Sequence, residues 1–439
     1  MTQRLHAWMN GELVGTWQVE RRTHTFTYER RWLDSPRSRS LSLSVPINAA
    51  LQVKGEVVSH YFDNLLPDNP KIRARLGKRF GADPNDIFDL LQAIGRDCVG
   101  AVQLLPETQG PKGFDRVEAE PLSDSDVANL LASVPSDNTV ELHEDDAFRI
   151  SIAGAQEKTA LLYWKGKWHK PLGATPTTHI IKLPLGLIGG SRRVDANDSV
   201  HNEWLCSRLL DALGLPVADS QVMRFGEQDV LVVERFDRAW QDDRWIARLP
   251  QEDFCQARGV AADKKYEADG GPGMSQCLEL LQGSQDRTDR VLFLLTQLAF
   301  TLLAATDGHA KNFSIFLKQG DAYTMTPLYD VISMWPYYGP GPNQFQRHKA
   351  GPAMVIRSKN VHKYFHTIKA RHWYRLASQN GGTPVWQAMV ALLERVPRAL
   401  AEVKAQLPQN FPERTWTRIS QGMEEESRRY LDEILNDKL

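Results

Sequence analysis

The sequence predicts an α+β fold built as two lobes, of which the first is rich in strands and the second is mostly helical. At 439 residues the chain exceeds the ~250 to 300 residues at which one hydrophobic core stops growing. Short apolar runs alternate with turns in residues 1–105 and again from 148 to about 240, whereas the remainder has mostly helical periodicity. Apolar residues make up 42% and charged residues 24% of the chain, which excludes collagen, disorder and coiled coil.

The charge balance excludes a global attraction to nucleic acid or anionic lipid. Lys and Arg number 53 and Asp and Glu 54, so the net charge is −1 and any such binding needs a local patch. The longest apolar stretch, 291–305, is interrupted by polar residues and is shorter than the ~20 residues of a membrane-spanning helix. We therefore expect a buried helix there. The first residues, MTQRLH, lack the apolar region of a secretion signal, and we expect a cytoplasmic protein.

Four cysteines lie far apart and form no C-x-x-C pair. This spacing indicates neither a disulfide framework nor a zinc ribbon. We expect buried thiols at Cys98, Cys206, Cys255 and Cys277.

Composition divides the chain into four segments. Residues 1–105 alternate apolar runs with turns before a helical stretch, which predicts a small mixed module. Residues 106–146 are polar and acidic and form the predicted linker, with room for one short helix at 127–131. Residues 147–240 are predicted to form the β-rich lobe, and residues 241–439 the helical lobe.

The β-rich lobe is predicted to contain four strands and one helix. Apolar runs predict the strands at 148–152, 160–164, 179–183 and 230–234. The helix is predicted from about 200 to 213, because Asn197, Asp198 and Ser199 supply a start signal and Gly214 and Pro216 a stop signal. Beyond residue 240 we expect helices and one hairpin near 318–321.

An Asp and an Asn five positions apart follow the long apolar stretch. Asp307 and Asn312 have the spacing of the protein-kinase catalytic loop, in which the Asp accepts a hydroxyl proton and the Asn holds a metal ion. Asp330 offers a second carboxylate eighteen residues after Asn312. Mg²⁺ takes oxygen ligands and stays close to bound phosphates, so Asn312 and Asp330 are candidate ligands. Alternatively, Asp307 and Asn312 cap or turn the chain.

Lys182 lies in a predicted strand whose neighbours are apolar. Burying a lysine there is costly unless an anion meets it. In kinases the partners are a phosphate and a glutamate of the next helix, and Glu203 lies on the apolar stripe of that helix. The alternative is an edge strand that leaves Lys182 in water.

Two further segments have positions that suit nucleotide binding. The turn SIAGAQEKT (151–159) joins two predicted strands, and backbone N–H groups in such a turn hold phosphate oxygens. It contains one glycine, Gly154, and so departs from G-x-G-x-x-G. The segment VERFD (233–237) ends the last strand, where backbone groups suit an adenine edge and Asp237 a ribose; a plain strand end with a surface salt bridge is the alternative. The order of these motifs is that of protein kinases, which makes the predicted two-lobed fold protein-kinase-like.

The sequence resembles HipA-type serine/threonine kinases, the toxins of HipA–HipB toxin–antitoxin pairs. The resemblance runs through almost the whole chain. It is carried by FDNLLPD (62–68), IGRDCVGAV (94–102), FRISIAGAQEKTALL (148–162), TPTTHIIKLP (175–184), VERFDR (233–238), LPQED (249–253), DGGPG (269–273) and ATDGHAKNF (305–313).

The resemblance implies roles for individual residues. Ser151 matches the autophosphorylated serine, whose modification expels the phosphate loop and silences the enzyme, and Asp307 matches the catalytic base. Asn312 and Asp330 match the Mg²⁺ ligands and Lys182 the ATP lysine. The other residues implied to bind ATP are Ala153, Gly154, Ala155, Gln156, Glu157 and Lys158 in the loop, Glu234, Arg235, Phe236 and Asp237 in the hinge, and His309, Lys311 and Tyr329.

The resemblance also implies a target and partners. The family phosphorylates an aminoacyl-tRNA synthetase, notably the glutamate enzyme, which stalls translation and favours dormancy. Its partner is a small helix-turn-helix antitoxin, HipB, that binds operator DNA. One departure from ordinary protein kinases is His309, which lies where a lysine follows the catalytic base.

A basic run bears on DNA binding. From 331 to 393 the chain has no Asp or Glu and has eight Lys or Arg residues between 347 and 375, including Lys369 and Arg371. Such a run suits DNA phosphates, but a solvated face and a docking site for an acidic partner remain open. Two other functions also remain open: a catalytically idle, DNA-binding co-repressor, and a small-molecule or lipid kinase.

Overall fold

A computed structural model describes residues 2–135 and 156–438. The chain forms two compact units, each built from three stretches of sequence. The first unit contains Met1–Leu183, Met223–Lys265 and Ser314–Thr326, and the second contains Pro184–Val222, Tyr266–Phe313 and Pro327–Leu439.

The strands of the described residues are short. They are β1 (Gln3–Met9), β2 (Glu12–Glu20), β3 (Thr23–Tyr28), β4 (Gln52–Lys54), β5 (Val102–Pro106), β6 (Ala119–Leu122), β7 (Lys158–Trp164), β8 (Lys167–Pro171), β9 (His179–Lys182), β10 (Gly186–Ile188), β11 (Val194–Ala196), β12 (Ser220–Phe225), β13 (Gln228–Glu234), β14 (Arg238–Gln241), β15 (Trp245–Arg248), β16 (Gln251–Asp253), β17 (Ser314–Leu317), β18 (Tyr323–Met325), β19 (Ile356–Arg357) and β20 (Val361–His362).

The longer helices follow residue 198. The α-helices are α1 (Arg30–Leu33), α2 (Glu56–Asp63), α3 (Pro70–Phe80), α4 (Ile87–Ile94), α5 (Asp124–Ser133), α6 (Ser199–Ala212), α7 (Phe254–Arg258), α8 (Met274–Leu280), α9 (Asp289–Leu302), α10 (Ala370–Gln379), α11 (Thr383–Lys404) and α12 (Glu413–Asp437).

The first unit begins with a five-stranded sheet in the order β4–β3–β2–β1–β5. Strands β1 and β2 form a hairpin through Asn10 and Gly11, both with positive φ, and Asn-Gly favours this two-residue turn. Trp17 of β2 and Phe62 of α2 stack with ring centroids 3.9 Å apart. Both are fully buried, so the helices cover one face of the sheet, as expected for the mixed module.

A six-stranded sheet in the order β12–β13–β9–β7–β8–β6 follows. Strands β7, β9 and β13 form near the predicted positions because their apolar side chains are buried. The strand predicted at 148–152 lies outside the described residues.

The structure differs from the predicted acidic linker at residues 106–146. Strand β6 pairs with β8, and helix α5 buries Val127 and Leu131 against the six-stranded sheet. A capping box between Ser123 and Asp126 begins this helix. Glu120, Asp124 and Asp126 of this stretch are exposed, residues 136–146 lie outside the described residues, and only the short helix was expected from the sequence.

The structure also differs from the predicted lobe boundary at residue 240. Residues up to Lys265 and the stretch Ser314–Thr326 belong to the first unit. Strands β16, β17 and β18 form one antiparallel sheet, and β17 and β18 are the hairpin predicted near 318–321. Strand β16 pairs with β17, which is distant in sequence. A single boundary in the sequence therefore cannot separate the two units.

The second unit is mostly helical. Helices α6 and α9 confirm the helices predicted at about 200–213 and in the stretch 291–305. Most of α9 is buried, including Phe293, Leu294 and Leu298. In the described part of the chain, no helix is both long enough and apolar enough to cross a membrane.

The four cysteines are buried and free of disulfides, as predicted. Burial raises the pKa of the Cys98 thiol to about 12.

Candidate active site

The loop after α9 positions Asp307 in the second unit. Helix α9 ends at Leu302, and Ala304 takes a left-handed conformation with φ 49° that redirects the chain. The Asp307 side chain is 59% exposed, whereas His309, Lys311 and Asn312 are buried. The loop therefore presents one carboxylate to solvent on a rigid base.

Hydrogen bonds within the loop fix its shape. The carbonyl oxygen of Asp307 accepts from Asn312 Nδ2 at 2.7 Å and from the His309 N–H at 2.8 Å. The Asp307 and Asn312 that the sequence singled out by their spacing are thus in direct contact. The bond from the Asn312 side chain to the Asp307 carbonyl closes the turn between the two residues, so the structural role given as the alternative is compatible with a catalytic one.

Tyr266 is a site residue that sequence reasoning missed. Its hydroxyl donates a hydrogen bond to Asp307 Oδ1. The edge of its ring packs against His309, with centroids 4.8 Å apart, and His309 Nε2 lies 3.8 Å from the same carboxylate oxygen. The only sequence signal was the DGGPG motif, which begins three residues later.

Asp330 lies in a segment that is bound to the Asp307 loop within the second unit. The Tyr329 hydroxyl donates to the Lys311 carbonyl at 2.9 Å. Leu328 exchanges backbone hydrogen bonds with Pro216 and Ala218, so the segment is held on both sides. Asp330 itself has φ 61°, a conformation that is costly for a residue with a side chain and concentrates at functional sites.

The donor set of Asn312 and Asp330 fits Mg²⁺. Because Asn312 Nδ2 is bound to the Asp307 carbonyl, the amide oxygen is the side-chain atom that can bind a metal ion. An amide oxygen and a carboxylate are hard ligands of the kind that Mg²⁺ prefers, usually together with water and phosphate. Among the residues that the structure describes, no group of three or more His, Cys, Asp or Glu side chains forms another candidate metal site.

Lys182 lies at the end of β9 in the first unit. Strand β9 is interior, between β13 and β7, where Lys182 is opposite Leu231 and Lys158. Its side chain is buried. The alternative of an exposed edge strand is therefore wrong, and the lysine is held in the apolar setting that the sequence indicated.

The predicted phosphate loop is described only in its last residues. Ser151, Ala153, Gly154 and Ala155 lie outside the described residues. Gln156 donates through Nε2 to the Leu183 carbonyl at 2.5 Å, Glu157 pairs with Arg75 of α3, and Lys158 begins β7. The end of the loop is thus fixed next to the strand that carries Lys182.

The four predicted hinge residues differ in burial, with Glu234 exposed, Phe236 intermediate and the other two buried. Glu234 is exposed, and Phe236 packs edge-on against Phe316 with centroids 5.7 Å apart. Arg235 and Asp237 are almost fully buried and bind each other at 2.8 Å. The structure therefore gives the Asp237 carboxylate internal partners instead of an open face for a ribose.

Arg235 and Asp237 belong to a buried charge cluster in the first unit. Its members are Asp97, Arg235, Asp237, Arg238 and Arg248, with side chains 1 to 8% exposed. Burial alone raises the pKa of Asp97, but the three guanidinium groups hold it well below its usual value. The cluster joins the IGRDCVGAV stretch to the end of β13.

Glu203 and the basic run lie in the second unit. Glu203 is buried in α6, as its apolar stripe predicted. Lys369 pairs with Glu433 of α12 at 3.1 Å, and Arg371 is exposed. The basic run is therefore partly neutralised by acids that are distant in sequence.

Comparison with known proteins agrees with this architecture. The model of the HipA-like C-terminal domain matches residues 150–410, and that of the HipA N-terminal domain matches residues 5–105. The Y4mE protein of Sinorhizobium fredii is 35% identical over 360 residues, which cover 79% of this chain and 81% of that protein. The serine/threonine-protein kinase toxin HipA of Shewanella oneidensis is 26% identical over 428 residues, covering 90% and 88%.

A solved structure extends the likeness to the fold. The Shewanella oneidensis HipA chain, in a complex with HipB and operator DNA, superposes with a TM-score of 0.80 at 23% identity and covers 98% of both chains. The fold is therefore α+β and kinase-like, as predicted. With the two domain models spanning most of its length, this chain belongs to the HipA family of kinase toxins.

Proposed function

We propose that this chain is an ATP-dependent serine/threonine protein kinase. The observation that carries the proposal is the Asp307 loop: an exposed carboxylate, an Asn312 side chain bound to its backbone, and the Asp330 segment bound to the same loop. This is the donor arrangement that phosphoryl transfer needs from a protein, namely a base and oxygen ligands held in fixed positions.

Each residue has a role in the proposed reaction. Asp307 orients a serine hydroxyl and accepts its proton as the oxygen attacks the γ-phosphorus of ATP, and ADP leaves. Tyr266 and His309 hold the Asp307 carboxylate in one orientation. Lys182 places its ammonium on the nucleotide phosphates, with Glu203 as its helix partner. Asn312 and Asp330 would hold Mg²⁺, which would neutralise phosphate charge.

The experiment that tests the proposal is transfer from γ-labelled ATP by the purified chain and its Asp307→Gln variant. A positioned base contributes about 10² to 10⁴ in rate. We expect Asp307→Gln to lose transfer by at least a hundredfold while it binds nucleotide with nearly unchanged affinity. Label on small metabolites instead of protein would favour a small-molecule kinase, and no transfer by the parent chain would leave only a co-repressor role.

The family supports a more specific target. We propose that the acceptor is a serine of an aminoacyl-tRNA synthetase, with the glutamate enzyme first among candidates, and that its phosphorylation inhibits translation and promotes dormancy. A panel of purified synthetases, each incubated with labelled ATP and this chain, tests the target. Labelling of a different protein class in the same assay would reject it.

Ser151 is proposed as the site of self-inhibition. A phosphate there adds about −1.5 to −2 charge beside the predicted phosphate loop and competes with ATP for its N–H donors. Ser151→Ala should retain activity during incubation with ATP while the parent chain loses it. Equal loss of activity in both proteins would reject this role.

A HipB-like helix-turn-helix antitoxin and operator DNA are proposed partners. The support is that the Shewanella relative was solved with HipB and its operator. We propose that the protein is cytoplasmic and lies at the nucleoid when the complex binds DNA. If the basic run contributes DNA contacts, neutralising Lys369 and Arg371 should reduce the salt dependence of operator binding by the binary complex. An unchanged slope would remove these contacts from the proposal.

A further inference from the structure

Three adjoining cavities run along the segment 337–348 of the second unit. Their volumes are about 540, 460 and 740 Å³. The first and second cavities share Gln344 and Arg414, and the second and third share Tyr338 and Arg418. We call these three cavities together the arginine groove.

The arginine groove concentrates positive charge in a chain that is nearly neutral. Its lining includes five arginines and two acids, an excess of three positive charges with histidines neutral: Arg193, Arg347, Arg414, Arg418 and Arg429 against Asp195 and Glu426. The net charge of the whole chain is −1. The groove is therefore a local patch of the kind that an anionic partner requires.

The arginines are held in place before any ligand arrives. Arg414 donates to the Pro336 carbonyl at 2.9 Å and Arg418 to the Tyr338 carbonyl at 2.8 Å. Arg347 stacks over the Trp335 ring at 4.5 Å and pairs with Glu426 at 2.6 Å. A guanidinium group has five N–H donors, so these contacts leave donors over for an oxyanion. Fixed guanidinium groups lose little entropy when they bind a carboxylate.

One further polar group in the groove has no partner. The Tyr338 side chain is buried, and among the described residues nothing forms a hydrogen bond with its hydroxyl. A buried hydroxyl without a partner is unfavourable. An acidic ligand that reaches it would supply the missing acceptor.

The groove begins close to the candidate catalytic loop within the same unit. The segment before it is bound to the end of α9 by three hydrogen bonds: Ser333 Oγ to the Leu303 carbonyl at 2.7 Å, Trp335 Nε1 to Leu302 at 2.8 Å, and Met334 N–H to Ala304 at 3.3 Å. The start of the groove is therefore fixed to the chain that leads into the Asp307 loop.

We propose that the arginine groove binds an acidic polypeptide segment of the protein substrate. This proposal adds a substrate-binding surface to the proposed kinase function. It rests on that function, because only as a kinase would this chain have a protein substrate. Cavities of a few hundred Å³ accept individual carboxylate side chains of a flexible chain. A nucleic-acid duplex, whose major groove alone is about 12 Å wide, is too wide to enter cavities of this size and would meet only their rims.

The test measures binding of a fluorescein-labelled deca-glutamate peptide to the full-length chain by anisotropy, without ATP. The variant is Arg193→Gln/Arg347→Gln, because the Arg193 side chain is exposed and Glu426 keeps Arg429 as a partner when Arg347 is lost. The matched control is Arg398→Gln/Arg428→Gln, two exposed helix arginines outside the groove. We expect about tenfold weaker binding in the groove variant, unchanged binding in the control, and no binding of deca-glutamine.

Equal effects of the two double variants, or no binding of deca-glutamate by the parent chain, would overturn the proposal. Tighter groove-dependent binding of a ten-nucleotide oligothymidylate than of deca-glutamate would overturn the choice of a polypeptide. Asp307→Gln should bind the peptide as the parent does. Peptide binding therefore reports on the groove even if phosphoryl transfer fails, and transfer from ATP reports on the active site even if the groove is empty.

Discussion

At the scale of single residues, Asp97 is the carboxylate that binds three arginines of the buried charge cluster in the first unit. Its Oδ1 accepts from Arg238 at 2.9 Å and Arg248 at 3.2 Å, and its Oδ2 accepts from the Thr177 hydroxyl at 2.7 Å and from Arg235. Removing its charge leaves three buried guanidinium groups with Asp237 as the other carboxylate of the cluster. Breaking a buried pair in this way is strongly destabilising.

We predict that Asp97→Asn lowers the free energy of unfolding by about 3 to 5 kcal/mol, measured by urea denaturation. Asp242→Asn is the control, because its partner Arg244 is mostly exposed and such pairs contribute at most about 1 kcal/mol. Similar small losses in both variants would show that the cluster is not buried in solution.

Glu252 makes the stability of the first unit depend on pH. Its Oε1 accepts from the Leu43 N–H at 3.0 Å, and its Oε2 has no hydrogen-bond partner among the described residues. Burial raises its pKa to about 8, so the folded state holds a proton that the unfolded state releases at lower pH. Stability from this group is full below the unfolded pKa and falls as pH rises through about 8.

We therefore predict that the chain loses stability between pH 5 and pH 9 and that Glu252→Gln, a neutral isostere, flattens this part of the profile. Thermal unfolding at a series of pH values measures it. A profile that is identical in the two proteins would contradict the assignment.

The sequence located the residues whose spacing is short and missed those brought together by the fold. Asp307 and Asn312 are five positions apart and are in contact within one loop, so their spacing in the sequence was enough to predict that they lie together. Asp97 and Arg235 are 138 positions apart, and no local pattern encodes that contact. Asp237 was assigned to a ribose, whereas in the structure its carboxylate accepts from Arg235, two positions away, and from the N–H of Gly100, 137 positions away.

At the scale of elements, helix α5 shows that part of the predicted linker is packed against the first unit. Val127 and Leu131 are 0% and 1% exposed and pack against the six-stranded sheet. Truncating such a buried leucine leaves a cavity in addition to losing apolar contact.

We predict that Leu131→Ala costs about 2 to 5 kcal/mol of unfolding free energy, measured in denaturant. Leu187→Ala serves as the control, because Leu187 is 54% exposed and should cost little. A loss below about 0.5 kcal/mol, the range of ordinary surface substitutions, would mean that residues 124–133 behave as a linker after all.

Helices and central strands were predictable because their apolar periodicity is local. Helix α6 begins and ends within a residue of its prediction, since start and stop signals flank it. Strand β6 was not predictable, because Ala119–Leu122 has no apolar alternation and forms only by pairing with β8. Edge strands of this kind depend on a neighbour that the local sequence does not reveal.

At the scale of the whole molecule, charge balance and lobe boundaries both depend on distant segments. The run from 331 to 393 lacks acids in sequence, yet Glu267, Glu426 and Glu433 pair with Arg357, Arg347 and Lys369. Of the eight basic residues of this run, only Arg347 lines the arginine groove, and the other arginines of the groove come from outside the run. Likewise, the first unit takes three separate stretches of chain, so no single boundary could have described it.

The central claim is the proposal that this chain binds a nucleotide together with Mg²⁺ and that Lys182 and Asp330 both contribute to this affinity. The most direct test is calorimetric titration with a non-hydrolysable ATP analogue, with and without Mg²⁺, for the parent chain, Lys182→Met, Asp330→Asn and the double variant. We predict that Mg²⁺ tightens binding in the parent chain, that each single variant weakens it at least tenfold, and that the double variant loses less than the sum. Affinity that is indifferent to Mg²⁺ and to Asp330→Asn would contradict the account.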